Sequence, residues 1–187
     1  MTQALFLDRD GVIIENQAHY VRSLENVTFL PQALTALALL KHAPIKIILV
    51  TNQSAVGRGI ISLQTAIEIH DHILQAIHNS GGRVDDTFMC PHAPQDVCSC
   101  RKPEPGLFLQ AAERYHLNLT RSICVGDAIS DLQAAQNAGV GTRILVRTGR
   151  GSDQLKLAEA TNLAPFLVFD SLTEVIAHFP PDFQTEL

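Results

Sequence analysis

Short runs of consecutive apolar residues recur along the chain and predict buried β-strands. The runs cover residues 4–7, 45–50, 122–125, 143–146 and 166–169. Apolar runs without polar alternation are typical of a parallel sheet with both faces covered, because neither side of such a strand meets water.

Between these runs, apolar residues at helical spacing predict helices over residues 32–42, 62–80, 106–116 and 131–138. Ser62 is a candidate N-cap for the second helix, and Gly139 is placed to end the fourth. Alternating strands and helices predict an α/β fold with a doubly wound parallel sheet. Residues 83–105 fit neither period and are interpreted as a structured loop, and the tail from residue 180 is expected to be loosely held.

Composition narrows the class of protein. A chain of 187 residues, 46% hydrophobic and 18% charged, suits a single domain over residues 1–187. A net charge of -5 gives no indication of a nucleic-acid partner, and no apolar stretch approaches the ~18 residues that a membrane helix needs. We therefore expect a cytoplasmic monomer that contacts neither nucleic acid nor membrane and acts on a small molecule.

Polar residues stand where each predicted strand ends. In a doubly wound sheet, ligands bind beyond the carboxyl ends of the strands, so these residues are candidates for one shared site. Asp8 can attack phosphorus as a nucleophile, and Asp10 can protonate the leaving oxygen and then activate water. From these two residues alone, an equally good interpretation is that Asp8 and Asp10 only end the strand and have no catalytic role.

The other strand ends favour the catalytic interpretation. The Thr51 hydroxyl can hold a phosphoryl oxygen, with further donors in Asn52, Gln53 and Ser54. Asp127 can complete an oxygen site for Mg²⁺ with Asp8, since magnesium takes one or two carboxylates plus phosphate oxygens and waters. Asp131, four residues later, either orients a metal-bound water or favours the dipole of the helix that it begins.

A basic pair follows a cluster of cysteines. Lys102 can neutralise charge on a transferring phosphoryl group, and the fork of Arg101 can grip a second oxyanion. The cluster before it supplies three thiolates and one imidazole, which make a closed tetrahedral zinc shell and indicate a structural zinc loop over about residues 88–105. Its four candidate ligands are Cys90, His92, Cys98 and Cys100.

Four segments together resemble the haloacid dehalogenase superfamily. They are Asp8-Arg9-Asp10-Gly11-Val12, Thr51-Asn52-Gln53-Ser54, Arg101-Lys102-Pro103 and Val125-Gly126-Asp127. The resemblance implies a Rossmann-like, capless fold, with Asp8 as nucleophile and Asp10 as general acid/base. It also implies Mg²⁺ on Asp8, the Asp10 carbonyl and Asp127, Thr51 and Lys102 on the phosphoryl group, and substrate recognition by Arg101.

The cysteine cluster is similar to the zinc-loop group of that superfamily, which has heptose-bisphosphate and histidinol-phosphate branches. In that group, Cys90, His92, Cys98 and Cys100 match the Zn²⁺ ligands. Gly57-Arg58-Gly59, Tyr20-Val21 and Val146-Arg147-Thr148-Gly149 resemble the heptose branch, whereas the five-residue spacer after His92 also suits the histidinol branch.

We therefore expect a phosphatase that acts on a heptose 1,7-bisphosphate, with histidinol phosphate or a related sugar phosphate as the alternative. A non-catalytic, zinc-stapled binding module is the alternative from a different class. Three positions depart from the heptose branch: Ile14, Ala55 and Ala128 stand where Asn, Gly and Lys are common. The sequence leaves the effect of Ala55 and Ala128 open, together with any contact that His19 and Tyr20 make with substrate.

Overall fold

The computed structural model describes residues 2–158, 163 and 165–179, along which strands and helices alternate. The strands are β1 (Ala4–Leu7), β2 (Lys46–Asn52), β3 (Asp86–Cys90), β4 (Ile123–Gly126), β5 (Thr142–Val146) and β6 (Leu167–Phe169). The α-helices are α1 (Ala33–Leu39), α2 (Ser54–Gly57), α3 (Leu63–Asn79), α4 (Gly106–Tyr115), α5 (Ile129–Ala138), α6 (Gly151–Ala158) and α7 (Leu172–His178). Two 3-10 helices lie at Leu24–Asn26 and Leu119–Arg121.

All six strands are parallel and form one sheet in the order β3-β2-β1-β4-β5-β6. The chain winds outward from β1 in one direction and then returns to β4 on the other side of it. The point where the winding direction reverses opens a crevice at the carboxyl ends of β1 and β4. This topology confirms the predicted doubly wound α/β fold.

The sheet is covered on both faces, which explains its unbroken apolar strands. Leu5 and Leu7 of β1 lie in one buried cluster with residues of α1, α3 and α7. Phe6 points to the opposite face, where it packs with residues of α4 and α5. Both clusters are therefore anchored on the same central strand.

Two helix ends agree with their sequence signals. The Ser62 hydroxyl accepts a hydrogen bond from Thr65 N at 3.0 Å, so Ser62 caps α3 as predicted. Gly139 ends α5 with φ +82°, a conformation that costs glycine little.

The prediction of a loop over residues 83–105 was wrong in its first part, because β3 occupies Asp86–Cys90 at the sheet edge. Its residues are only partly buried before Cys90, so the strand has no apolar run to reveal it. The short helices α2, α6 and α7 also went unpredicted, since four to eight residues establish no clear period. The tail prediction lies outside the described residues.

In the described part of the chain, no separate cap domain interrupts the strand–helix alternation. The connection from β1 to α1 holds the 3-10 helix Leu24–Asn26, several turns and two isolated β-bridges at Ile14. No helix among the described residues is long and apolar enough to cross a membrane.

Candidate active site

Asp8 and Asp127 meet where the winding direction of the sheet reverses. Asp8 follows β1, and its backbone amide donates to Val125 O of β4 at 3.0 Å. Asp127 follows β4 directly. The two residues are 5% and 0% exposed, so both carboxylates are withdrawn from bulk water.

Lys102 lies between the carboxylates of Asp8 and Asp131, and its ammonium has three polar partners. Its Nζ donates to Asp8 Oδ1 at 2.9 Å and to Val50 O at 2.8 Å, and it pairs with Asp131 Oδ1 at 2.6 Å. Burial disfavours the charged ammonium, but Asp131 and Asp8 outweigh it and raise the pKa of Lys102 above its ordinary value. Lys102 is therefore a fixed positive charge beside the candidate nucleophile.

The pKa of Asp8 shows the opposing influences on this carboxylate. Burial is the main cause that raises the pKa of Asp8, to about 7. The Lys102 ammonium lowers this pKa, whereas the negative charges of Asp131 and Asp127 raise it further. A cation near Asp8 and Asp127 would thus favour the ionised carboxylate that nucleophilic attack requires.

Asp10 is held by donors from two directions. Arg9 donates through Nε to Asp10 Oδ2 at 3.0 Å and through Nη2 to Oδ1 at 3.2 Å. Gln53 Nε2 donates to Asp10 Oδ2 and to Thr51 Oγ1, both at 2.9 Å. Gln53, predicted to bind substrate, therefore also links the candidate acid/base to the candidate phosphoryl-binding hydroxyl.

Asp127 has two partners that the sequence did not reveal. Asn16 Nδ2 donates to Asp127 Oδ2, and Arg150 donates to the same oxygen from its backbone amide at 2.9 Å. Arg150 Nη2 also lies 3.3 Å from Asp127 Oδ1. Arg150 directly follows the polar end of β5, which was a usable signal. Asn16 lies in the irregular connection after β1, where no local pattern identifies it.

Glycine is required where the backbone passes this carboxylate. Gly11 has φ +88°, and a Cβ there would overlap the Asp127 side chain. The Thr148 hydroxyl donates to Gly11 O at 2.6 Å and fixes the turn to the end of β5. The glycine of the first motif thus permits both the turn and the approach of Asp127.

The carboxylates fit a divalent cation. Oxygens of Asp8, Asp127 and Asp131 all lie within 4.8 Å of one another. Asp131 is already engaged, since Oδ1 pairs with Lys102 and Oδ2 accepts from Ala128 N at 3.0 Å. Asp8 and Asp127 also have partners, so the three carboxylates together form a candidate cation site, and magnesium takes one or two carboxylates with phosphate oxygens and waters.

The four predicted zinc ligands also come together. Cys90 Sγ lies 3.4 Å from His92 Nδ1, 3.9 Å from Cys98 Sγ and 3.2 Å from Cys100 Sγ, and His92 Nδ1 lies 3.3 Å from Cys100 Sγ. In a tetrahedral site, zinc bonds of about 2.0–2.3 Å separate neighbouring ligand atoms by about 3.5–3.8 Å. Burial raises the pKa of Cys90 to about 12, so its thiolate needs a cation beside it. The donor set fits zinc.

The loop that carries the four predicted zinc ligands is connected to the active site through Arg101 and Lys102. Arg101 Nη1 donates to His92 O at 3.3 Å. Lys102 N donates to Asn52 Oδ1, and Asn52 Nδ2 donates back to Lys102 O, each at 3.1 Å. Asn52, predicted to bind substrate, therefore uses its amide to fix Lys102 at the end of β2.

A polar pocket opens above these groups. Arg101 and Ser54 line it, as does Tyr20, whose positive φ of 65° is unusual for a residue with a side chain. His19 is not among the lining residues, and its carbonyl accepts from Arg22 Nε at 2.6 Å. The remaining lining residues are Asp8, Asp10, Asn16, Gln17, Val21, Asn52, Gln53, Lys102, Ser130, Asp131 and Arg150.

Sequence comparisons point to one group of enzymes. The HAD-hydrolase-like family matches residues 99–175. A D-glycero-beta-D-manno-heptose-1,7-bisphosphate 7-phosphatase of Bordetella bronchiseptica is 43% identical over 151 residues, which cover 81% of this chain and 84% of the relative. A protein of the same name from Pseudomonas aeruginosa is 37% identical over 173 residues, which cover 91% and 94%.

Solved structures of similar proteins share the fold over nearly the whole chain. The D,D-heptose 1,7-bisphosphate phosphatase of B. bronchiseptica, complexed with magnesium and phosphate, superposes with a TM-score of 0.88 at 39% identity, covering 95% of this chain and 97% of its own. The corresponding phosphatase of Burkholderia thailandensis superposes with a TM-score of 0.71 at 30% identity, with the same coverage. This chain therefore belongs to the haloacid-dehalogenase-like hydrolases and, within them, to the family of D-glycero-beta-D-manno-heptose-1,7-bisphosphate 7-phosphatases.

Proposed function

We propose that this chain is a magnesium-dependent phosphatase that removes one phosphate group from a heptose 1,7-bisphosphate. The observation that carries the proposal is the buried contact of Lys102 Nζ with Asp8 Oδ1 at 2.9 Å, beside Asp127 and below a polar pocket. Such a pair suits attack on a phosphate ester, because the cation offsets the charge of the ester as the carboxylate approaches. The names of the relatives support the heptose substrate.

In the first half of the reaction, an Asp8 carboxylate oxygen attacks phosphorus. The bond between phosphorus and the sugar oxygen breaks, and the carboxyl group of Asp10 gives its proton to that oxygen. The products are the free hydroxyl of the sugar and a phosphoryl group covalently bound to Asp8.

In the second half, water attacks the same phosphorus atom and gives its proton to the Asp10 carboxylate. The bond to Asp8 breaks, inorganic phosphate leaves, and both aspartates return to their starting protonation states. Asp10 thus acts as an acid in the first half and as a base in the second. Both roles require its carboxyl group to be accessible from the pocket, and its side chain is 21% exposed.

The remaining groups stabilise charge. Thr51 Oγ1 accepts from Gln53, which leaves the Thr51 hydrogen able to donate. Thr51 is fully buried and does not line the pocket, so its contact with a phosphoryl oxygen stays a prediction. Lys102 contributes its fixed positive charge. Mg²⁺, when bound by Asp8 and Asp127 with the predicted help of the Asp10 carbonyl, would neutralise further charge on the phosphoryl group.

Arg101 and the zinc loop extend the proposal to substrate recognition. Arg101 lines the pocket, and its guanidinium donates to His92 O. We infer that Zn²⁺ on Cys90, His92, Cys98 and Cys100 fixes Arg101 for the second phosphate of the sugar. Ser54 lines the same pocket. The predicted monomeric state and cytoplasmic location stay predictions, as does the single domain over residues 1–187.

Phosphate release from purified protein tests the function. With Mg²⁺ we expect turnover of D-glycero-D-manno-heptose 1,7-bisphosphate to exceed that of histidinol phosphate, and Asp8→Asn to abolish it while the circular dichroism spectrum is unchanged. Asp153→Asn, in an exposed helix, is the matched control and should behave as wild type. Preference for histidinol phosphate would refute the substrate, and full activity of Asp8→Asn would refute the mechanism.

A further inference from the structure

Arg9 has the largest fully buried side chain in the described part of the chain, and no step of the mechanism above uses it. It is 1% exposed, although a guanidinium is costly to remove from water unless its partners compensate for hydration. It stands between Asp8 and Asp10 in the chain, and its guanidinium contacts the Asp10 carboxylate. The question is what this buried charge does there.

All the hydrogen bonds of the guanidinium recorded in the described part of the chain go to Asp10. Nε and Nη2 bind the two carboxylate oxygens, Nη2 also pairs with Oδ2 at 3.0 Å, and Nη1 is buried without a partner there. Arg83 provides the contrast, because it ties distant backbone segments together through Lys41 O, Ala43 O and Ile45 O. Arg83 therefore has the contacts of a structural arginine, and Arg9 does not.

The contacts also distinguish the two oxygens of Asp10. Oδ2 accepts from Arg9 Nε and from Gln53 Nε2, whereas Oδ1 accepts from Arg9 Nη2 at the longer distance of 3.2 Å. A planar fork fixes the plane of a carboxylate as well as its position. Oδ1 consequently has the freer lone pair, and it is the oxygen that can take up and release a proton.

The neighbouring His70 is uncharged, which leaves Arg9 as the positive charge beside Asp10. His70 of α3 is buried beside Thr87, with 2.9 Å between His70 Nε2 and Thr87 Oγ1. Burial, together with the positive charge of Arg9, lowers the pKa of His70 to about 4. His70 is therefore neutral near pH 7, so it does not compete with Arg9 for the Asp10 carboxylate.

We propose that Arg9 is a positioning residue that, together with Gln53, holds Asp10 so that Oδ1 delivers a proton to the leaving sugar oxygen. The inference rests on the proposed phosphatase function, and it assigns to Arg9 an effect on proton transfer rather than on binding. Arg9 touches neither the phosphoryl group nor the sugar in this mechanism, so its influence passes through Asp10.

The leaving group provides a test that a purely structural role would not satisfy. A sugar oxygen needs a proton as its bond to phosphorus breaks, whereas the nitrophenolate of p-nitrophenyl phosphate departs without one. The kcat/KM value reports the steps up to release of the leaving group, and it therefore excludes the later attack of water. The ratio of kcat/KM for the two esters isolates the proton transfer.

We expect Arg9→Gln to lower kcat/KM for the heptose bisphosphate by about 10²-fold, the usual contribution of a general acid, and to affect p-nitrophenyl phosphate about tenfold less. Asp10→Asn should show the same imbalance. Arg9→Lys, which keeps the charge without the fork, should fall between wild type and Arg9→Gln. Arg83→Gln is the matched control, and any effect it has should be equal for both esters.

Equal losses for both esters in Arg9→Gln, or no loss for either, would overturn the inference. If Arg9→Gln does not fold, the same ratio measured on Arg9→Lys decides the matter. The wild-type protein separates the two proposals: a chain that hydrolyses neither ester refutes the phosphatase function itself, whereas an active wild type with an unchanged ratio in the variants refutes only the role of Arg9.

Discussion

Lys102 Nζ lies 2.9 Å from Asp8 Oδ1, although the two residues are 94 positions apart in the chain. The Lys102 side chain is 2% exposed and the Asp8 side chain 7%, and the same ammonium also pairs with Asp131. One buried cation therefore faces two buried carboxylates, and its loss should affect both catalysis and stability.

Replacing Lys102 with methionine should lower kcat about 10²–10³-fold, as expected when a preorganised charge is removed from a transition state. It should also lower the free energy of unfolding by about 3–5 kcal/mol, because Asp8 and Asp131 lose their shared partner. Steady-state kinetics and urea denaturation measure the two effects. Lys156→Met, at a 77% exposed lysine, should change neither, and wild-type turnover in Lys102→Met would contradict the assignment.

Cys98→Ser should remove zinc from the protein. Elemental analysis should find about one zinc per wild-type chain and much less in the variant, since the closed site needs all four ligands. Hydrogen exchange should quicken over residues 90–105, because the ligands no longer connect that segment. Cys124→Ser is the control. Cys124 is buried in β4 and is not part of the cluster, so this variant should still contain about one zinc per chain. Equal zinc in Cys98→Ser and wild type would refute the ligand set.

Arg101→Gln should raise KM for the heptose bisphosphate about tenfold, because it removes one charged contact to the second phosphate. The kcat value should change little. The KM for a sugar monophosphate should change far less, because that substrate lacks the group that Arg101 binds. Arg22→Gln, which removes an exposed arginine in the connection after β1, serves as the control. A similar increase in KM for both substrates would show that Arg101 does not select the second phosphate.

His70 should make stability depend on pH between about 4 and 6.5. Its pKa is about 4 in the folded protein and near 6.5 when exposed, so the unfolded chain binds the extra proton first. Its contribution is therefore fully present above pH 6.5 and is lost as pH falls towards 4, up to about 3 kcal/mol.

Urea denaturation between pH 4.5 and 7 measures this dependence. In His70→Gln the slope of stability against pH should decrease over that range, whereas His72→Gln, on the exposed side of α3, should keep the wild-type slope. Identical slopes in wild type and His70→Gln would show that His70 is not the group responsible.

The doubly wound parallel sheet and the polar groups that follow four of its strands were predicted from local patterns, whereas the order of the strands within the sheet was not. Unbroken apolar runs indicated a sheet covered on both faces, and the polar residues after them indicated the edge that binds ligand. Asp8, Thr51 and Asp127 could be singled out in this way because each lies at the end of a predicted apolar run, although β2 itself extends through Thr51 to Asn52. The cysteine cluster was likewise visible, since its ligands are close in sequence.

The tertiary structure decided which of these groups touch. The strand β3 was hidden because an edge strand is only partly buried and needs no apolar run. Asn16 and Arg150 reach Asp127 from separate connections, and no local spacing reports such a contact. The sequence by itself determined the chemistry available at the sheet edge, whereas the contacts of Lys102 with Asp8 and Asp131 depended on how buried charges find partners when distant segments pack.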